Sequence, residues 1–244
     1  MKKILFFAVC SLIATISYSQ KVYAWWDVGA KLGYGLTGML NNNLFDDRDY
    51  EHRLTTGLSY GAKAGMYFGL FNGITVDAMF SSNKQKFDYN FSDGKNYLHN
   101  VNWKNLDIAV LYRNQRDGVY IELGPQISLI QKVTNEDLNP NSLFIKSNVT
   151  EYYNKNYLSA IFGVGGYIFN SGTFTTMLGF RVGYGFGEMV NDAGKVLHIP
   201  TPNEIAYKEK PTTAAFAQIV LEANFALGYY GRTSCSKRAT LFSF

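Results

Sequence analysis

Apolar and polar residues alternate with a period of two along most of the chain, the signature of strands with two unlike faces. Trp26, Val28, Ala30, Leu32, Tyr34 and Leu36 alternate with Asp27, Gly29, Lys31, Gly33 and Gly35. Leu58, Tyr60, Ala62, Ala64, Met66, Phe68 and Leu70 do the same against Ser59, Gly61, Lys63, Gly65, Tyr67 and Gly69. Segments of this kind follow at 74–81, 105–112, 119–129, 158–168, 174–186 and 215–228, which makes eight expected strands. The connections alternate in length. Short ones at 71–73, 114–118 and 170–172 have hairpin chemistry, and long polar ones cover about 37–56, 82–101, 131–155 and 188–213.

Even-numbered antiparallel strands with short turns at one end and long loops at the other predict an all-β, eight-stranded antiparallel up-and-down transmembrane β-barrel. A lipocalin-like carrier is the rival, because it too has up-and-down strands around an interior. The two differ in which face is apolar. Here the minority face carries Asp27, Lys31, Lys63, Asp77, Asp107, Glu122, Arg181 and Glu222, together with nearly all the strand glycines. That makes a poor lining for an apolar ligand and a good ion-paired filling for a narrow lumen. The other face is Leu, Ile, Val, Phe, Ala and Tyr, suited to lipid. Aromatic girdles are expected from Tyr34, Tyr60 and Tyr184 with Trp26, Phe68, Tyr112, Phe174 and Tyr229. Pro125 lacks an N–H for the ladder, so a bulge or irregularity is expected there.

Composition narrows the class. The 244 residues are 47% hydrophobic, yet mean hydropathy is -0.11. After residue 20 no window approaches the roughly 18 apolar residues of a helical span. Residues 1–19 read as a secretory leader, with Lys2 and Lys3 ahead of a short apolar stretch. Cys10 lies inside that stretch behind Val9, which argues against lipidation, and Cys235 is then the one cysteine of the exported chain. Residues 20–230 form the expected barrel and 231–244 a basic tail. The formal charge of +4 is too small to suggest a nucleic-acid partner.

The segments Asn105-Leu106-Asp107-Ile108-Ala109-Val110-Leu111-Tyr112, Tyr120-Ile121-Glu122-Leu123-Gly124-Pro125 and Gly179-Phe180-Arg181-Val182-Gly183-Tyr184-Gly185 carry a resemblance. With the leader, they make the chain similar to the PorT-like family of Bacteroidetes outer-membrane proteins, which have an OmpA-type eight-stranded barrel. The chain departs from that pattern at Ala109, where relatives usually have proline, and in its tail. The resemblance implies an outer-membrane location, long loops outside the cell and both termini periplasmic. It also implies lipid and lipopolysaccharide contact, and the barrel-insertion machinery as a partner during biogenesis. Some members are linked to secretion or gliding.

Candidate chemistry is sparse. His52, His99 and His198 fall in the expected long loops, near Asp46, Asp47, Asp49 and Glu51 or near Ser92 and Asp93. A lipid-modifying or proteolytic site at the rim is one alternative reading. No metal-binding spacing or phosphate-binding glycine loop occurs, so no metal or cofactor is expected. The first expectation is a non-enzymatic structural or surface-binding protein, whose loops offer Tyr50, Phe144, Tyr152 and Tyr153 to an unknown protein or glycan. An accessory role in secretion is the alternative.

Overall fold

The computed structural model describes residues 24–41, 50–69, 71–91, 94–142, 145–171, 173–202 and 210–230. The expected leader, the tail with Cys235, Phe144, and the acidic residues at 46–49 lie outside them. Among the described residues ten strands form one antiparallel sheet: β1 (Ala24–Asn41), β2 (Tyr50–Arg53), β3 (Thr55–Phe68), β4 (Asn72–Asn90), β5 (Asn96–Arg116), β6 (Val119–Asp137), β7 (Lys146–Asn148), β8 (Asn156–Asn170), β9 (Phe174–Gly185) and β10 (Thr212–Tyr230). Among the described residues one short helix, α1 (Asp192–Val196), and a 3-10 turn at Thr150–Tyr152 lie in the connections.

This corrects the expected eight-stranded barrel. The sheet path is β2-β4-β3-β1-β10-β9-β8-β6-β5, with β7 added to β6 and β4 also paired to β5. The extra strands come from the segments expected as loops. β2 runs along the same edge of β4 as β3 does, separated from it by Leu54, which is outside any strand and 87% exposed. The wall is not continuous there. β1 pairs with β3 as far as Thr37↔Thr55, while its residues 38–41 pair with β10 alone.

Much of the expected loop sequence is therefore strand. β4, β5 and β6 run on to residues 90, 96 and 137, well beyond the outward apolar stretch. The alternation that predicted the strands continues through these extensions. In β4 residues 73, 75, 77, 79, 81, 83 and 85 are buried and the even positions 74–84 are exposed. The same phase then buries Phe87 and Tyr89.

The short connections match hairpin geometry. Between β5 and β6, Asp117 and Gly118 have φ of 52° and 83°, the left-handed pair that a two-residue turn requires. The irregularity at Pro125 is an interrupted ladder. Pairing of β5 with β6 passes from Ala109↔Gln126 to Tyr112↔Leu123 and skips Pro125, whereas its pairing with β8 through Ala160 continues. A proline with no N–H loses pairing on the side where that N–H would point, and the opposite side is spared.

Candidate functional site

The inner face of the sheet is filled in layers, and the charged layer is at the middle. All eight acidic and basic residues named from the minority face are buried. Seven of them meet in one network with Arg113. Lys31 Nζ lies 2.6 Å from Asp77 Oδ2 and 3.0 Å from Glu222 Oε1. Lys63 Nζ lies 3.0 Å from Asp27 Oδ2 and 3.4 Å from Glu222 Oε2. Arg181 reaches Asp77 at 2.8 Å and Glu122 at 2.6 Å. Arg113 reaches Glu222 at 2.6 Å and Glu122 at 2.5 Å. Four cations thus face four carboxylates, so the layer is neutral overall and its desolvation is offset by mutual pairing. Asp107 stands apart from it and accepts a 2.6 Å hydrogen bond from Ser81 Oγ.

Arg113 is the member that sequence reasoning missed. It follows Asp107, Ala109 and Leu111 in the inward phase of β5, but the expected strand ended at Tyr112 and the next residues were read as turn. Continuing the phase by one step would have found it.

Aromatic rings close the network toward the short turns. Tyr67 stacks on Trp25 with centroids 3.9 Å apart, and its hydroxyl reaches Asp27 at 3.3 Å. The Arg113 guanidinium sits 4.1 Å from the centre of the Tyr120 ring. Tyr120 fits because β9 has no side chain opposite it. A Cβ at Gly179 would lie 2.2 Å from the Tyr120 hydroxyl. Gly179→Val is therefore expected to displace Tyr120 from Arg113 and cost about 1–3 kcal/mol. Equilibrium urea unfolding in lipid vesicles measures this, and unchanged stability would contradict the slot. Below the rings a cavity of about 220 Å³ opens among Trp25, Asp27, Tyr167, Met177 and Asn224.

Toward the loops the filling turns apolar. Met39, Tyr50, Phe87, Tyr89, Val101, Trp103, Val133, Val149, Tyr153, Met189, Val190 and Ile199 form one buried cluster. Its lid is made by the two longest connections, which fasten to each other. Asn154 Nδ2 donates to the Glu188 carbonyl at 2.8 Å, and Asn191 Nδ2 donates to the Glu151 carbonyl at 2.6 Å. Asn191 also caps α1 by accepting from the Gly194 N–H at 2.9 Å. This corrects the expected binding aromatics: Tyr50 and Tyr153 are core residues, and Tyr152 is half-buried. Sequence reasoning assigned them to loops because the inward set changes from polar to apolar at this level, which breaks the pattern that marked the strands.

The histidines do not gather. His99 is buried, hydrogen-bonded to Asn135 and flanked by Asp137; His52 lies on β2; His198 follows α1. Among the described residues no group of His, Cys, Asp and Glu has the arrangement to hold a metal. Burial holds the His99 ring below its ordinary value of 6.5, with Asp137 opposing. A histidine depressed in the folded state stabilises fully above its unfolded value, and that stability falls as pH drops below it. Hydrogen-exchange protection of amides 87–101 is expected to decrease between pH 7 and pH 5 and to stay level in His99→Gln. Equal pH dependence in both proteins would remove His99 from the account.

Seven of the eight residues expected in the girdles are exposed or half-buried. Trp26, Tyr34, Tyr60, Phe68, Tyr112 and Tyr184 are exposed and Phe174 is half-buried against Phe225, 4.8 Å between centroids. Tyr229 pairs with Trp25 through its backbone; its side chain is outside the described atoms. Between them lie exposed Val28, Leu32, Ile74, Val76, Phe80, Ile108, Val110, Leu123, Leu158, Phe180 and Ile219. Outward lysines follow just beyond this belt: Lys104 faces Lys132 directly across β5 and β6, and Lys84 and Lys86 stand on β4.

Comparison with known proteins gives a general likeness. No family model and no curated protein matches the chain. Among solved structures it is similar to Neisserial surface protein A, at 11% identity and a TM-score of 0.39, covering 81% of this chain and 95% of that one. It is also similar to the outer membrane protein OprG from Pseudomonas aeruginosa, at 7% identity and a TM-score of 0.39, covering 84% and 96%. Ail, the attachment invasion locus protein of Yersinia pestis, follows at 9% identity and a TM-score of 0.35, covering 84% and 100%. The resemblance is to outer-membrane β-sheet proteins in general; the expected PorT-like membership finds no matching family model.

Proposed function

We propose that this chain is a non-catalytic outer-membrane protein with a structural or surface-binding role, embedded by its sheet and presenting its capped end outside the cell. Both ends of the described sheet, Ala24 and Tyr230, pair with each other at the short-turn end, which would then be periplasmic. The observation that carries this reading is the inversion of the sheet: charges buried inside and a continuous apolar belt outside. A water-soluble protein rarely exposes an apolar patch of more than a few hundred Å², whereas a bilayer needs such a belt. Bilayer lipid is accordingly its first partner.

The interior supports a scaffold more than a channel. A neutral ion-paired layer and an apolar cap lie one above the other along it, so ions would have to break buried pairs to pass. Apolar residues do remain exposed at the capped end, namely Leu138, Ile145, Phe186 and Val196, and they would give a protein or glycan partner a surface. Purified protein in planar bilayers is expected to carry no steady current. Sustained conductance would overturn the filled interior and, with it, the scaffold reading.

A further inference from the structure

Beside Leu54 the wall has a seam, and side chains hold it. The pairing of β1 with β3 ends at Thr37, while β1 continues to Asn41 against β10 on its other side. Gln85 of β4 fills the break. Its Oε1 accepts from the Met39 N–H at 3.2 Å, and its Nε2 donates to the Arg53 carbonyl at 3.3 Å and the Lys86 carbonyl at 2.7 Å. Thr37 Oγ1 crosses the same gap, accepting from the Lys84 N–H at 3.3 Å. Thr55 Oγ1 also spans it, donating to the Thr37 carbonyl at 2.8 Å and the Lys84 carbonyl at 2.5 Å, so one carboxamide and two hydroxyls bridge the gap.

Outside the seam is a cleft of about 320 Å³ with Gln85 at its floor. Leu36, Leu40, Leu54, Ala215 and Ala217 form its mouth, and they continue the outward apolar belt through Leu58 and Ile219. Its rim is cationic. Arg53 lines the cleft and pairs with Asp88, and Lys86 lies directly across from Arg53. Lys84 is joined through its backbone to Thr37 in the cleft wall. Neither Lys84 nor Lys86 has an ion-pair partner among the described residues, so two positive charges remain at the level where the apolar belt ends.

We propose that the cleft seats an acyl chain of an anionic membrane lipid, with the lipid phosphate against Lys84, Lys86 and Arg53. An apolar mouth continuous with the belt selects a chain already in the bilayer, and the rim selects a negative headgroup. The proposal rests on the membrane reading above.

The test uses full-length protein in phosphatidylcholine vesicles doped with phosphatidylglycerol carrying a photoactivatable diazirine on one acyl chain. Labelled peptides are mapped by mass spectrometry. Labelling is expected to concentrate at residues 36–40, 54 and 215–217, and to weaken there when the probe has a choline headgroup. Ala215→Phe, which points outward into the mouth, should lower it by about fivefold or more, as expected when one or two methylenes lose their seat. Ala64→Phe, on the outward face of β3 away from the cleft, should leave it unchanged and controls for folding. Even labelling along the belt, or an equal response to both variants, overturns the cleft and spares the membrane reading. Equal labelling by the choline probe overturns the anionic headgroup. A belt that takes no label overturns both the cleft and the membrane reading.

Discussion

Replacing Glu222 with glutamine is expected to lower the unfolding free energy by about 3–5 kcal/mol, the cost of breaking a buried ion pair by removing one partner. Glu222 lies within 2.6 Å of Arg113, 3.0 Å of Lys31 and 3.4 Å of Lys63, so three cations lose their shared carboxylate at once. Glutamine keeps the size and removes the charge, and the neutral layer becomes a layer with one excess positive charge away from water. Urea unfolding from lipid vesicles reads the loss. The double variant Glu222→Gln with Lys63→Met should recover part of it, because it removes one of the unpaired charges. A Glu222→Gln protein as stable as the wild type would mean that water reaches the network and screens it.

The second large effect is expected on the outside. Ile108→Arg on β5 should cost about 2–4 kcal/mol, the penalty for a cation near the bilayer midplane on the lipid face of such a sheet. Ile108 pairs with Ala78 and Ile127, all of them outward, in the middle of the apolar belt. In a water-soluble protein an exposed isoleucine changed to arginine would be within about 0.5 kcal/mol of neutral. The two readings therefore differ in magnitude by several-fold at one position. Insertion yield into vesicles and unfolding in urea both report it.

What could be read in the sequence follows from one rule and its limits. The period-two phase identified the two faces and placed Lys31, Lys63, Asp77, Glu122, Arg181 and Glu222 together, because in a strand parity alone decides the face. It said less about where strands end. Arg113 falls between the expected strand and the expected turn although its parity is right. Phe87, Tyr89 and Val101 fall in an expected loop, and Trp103 between that loop and the next expected strand, although all four share the inward phase of their strands. Both errors come from reading a change of residue type as a change of structure. The inward set is charged in the middle, aromatic at one end and apolar at the other, since each level has a different neighbourhood to satisfy.

The break at Leu54 and the seam beside it had no local signal. Nothing in Arg53-Leu54-Thr55 resembles a turn, and the chain there stays extended on either side of a single unpaired residue. The count of ten strands instead of eight depends on which edge each piece meets, which is a property of the assembled sheet. Pro125 was legible as a disturbance, but the side on which it acts was not. That depends on which neighbour its missing N–H would have faced.

The central claim is that the outer face of this sheet lies against lipid. Nitroxide side chains placed singly at residues 74–86 of β4 in protein reconstituted into vesicles test it most directly, by their collision rates with oxygen and with a water-soluble nickel complex. The account predicts that residues 74, 76, 78 and 80 favour oxygen, that the odd positions meet neither quencher, and that preference turns to nickel at residues 84 and 86. Even positions 74–80 that collide more with nickel than with oxygen would contradict it.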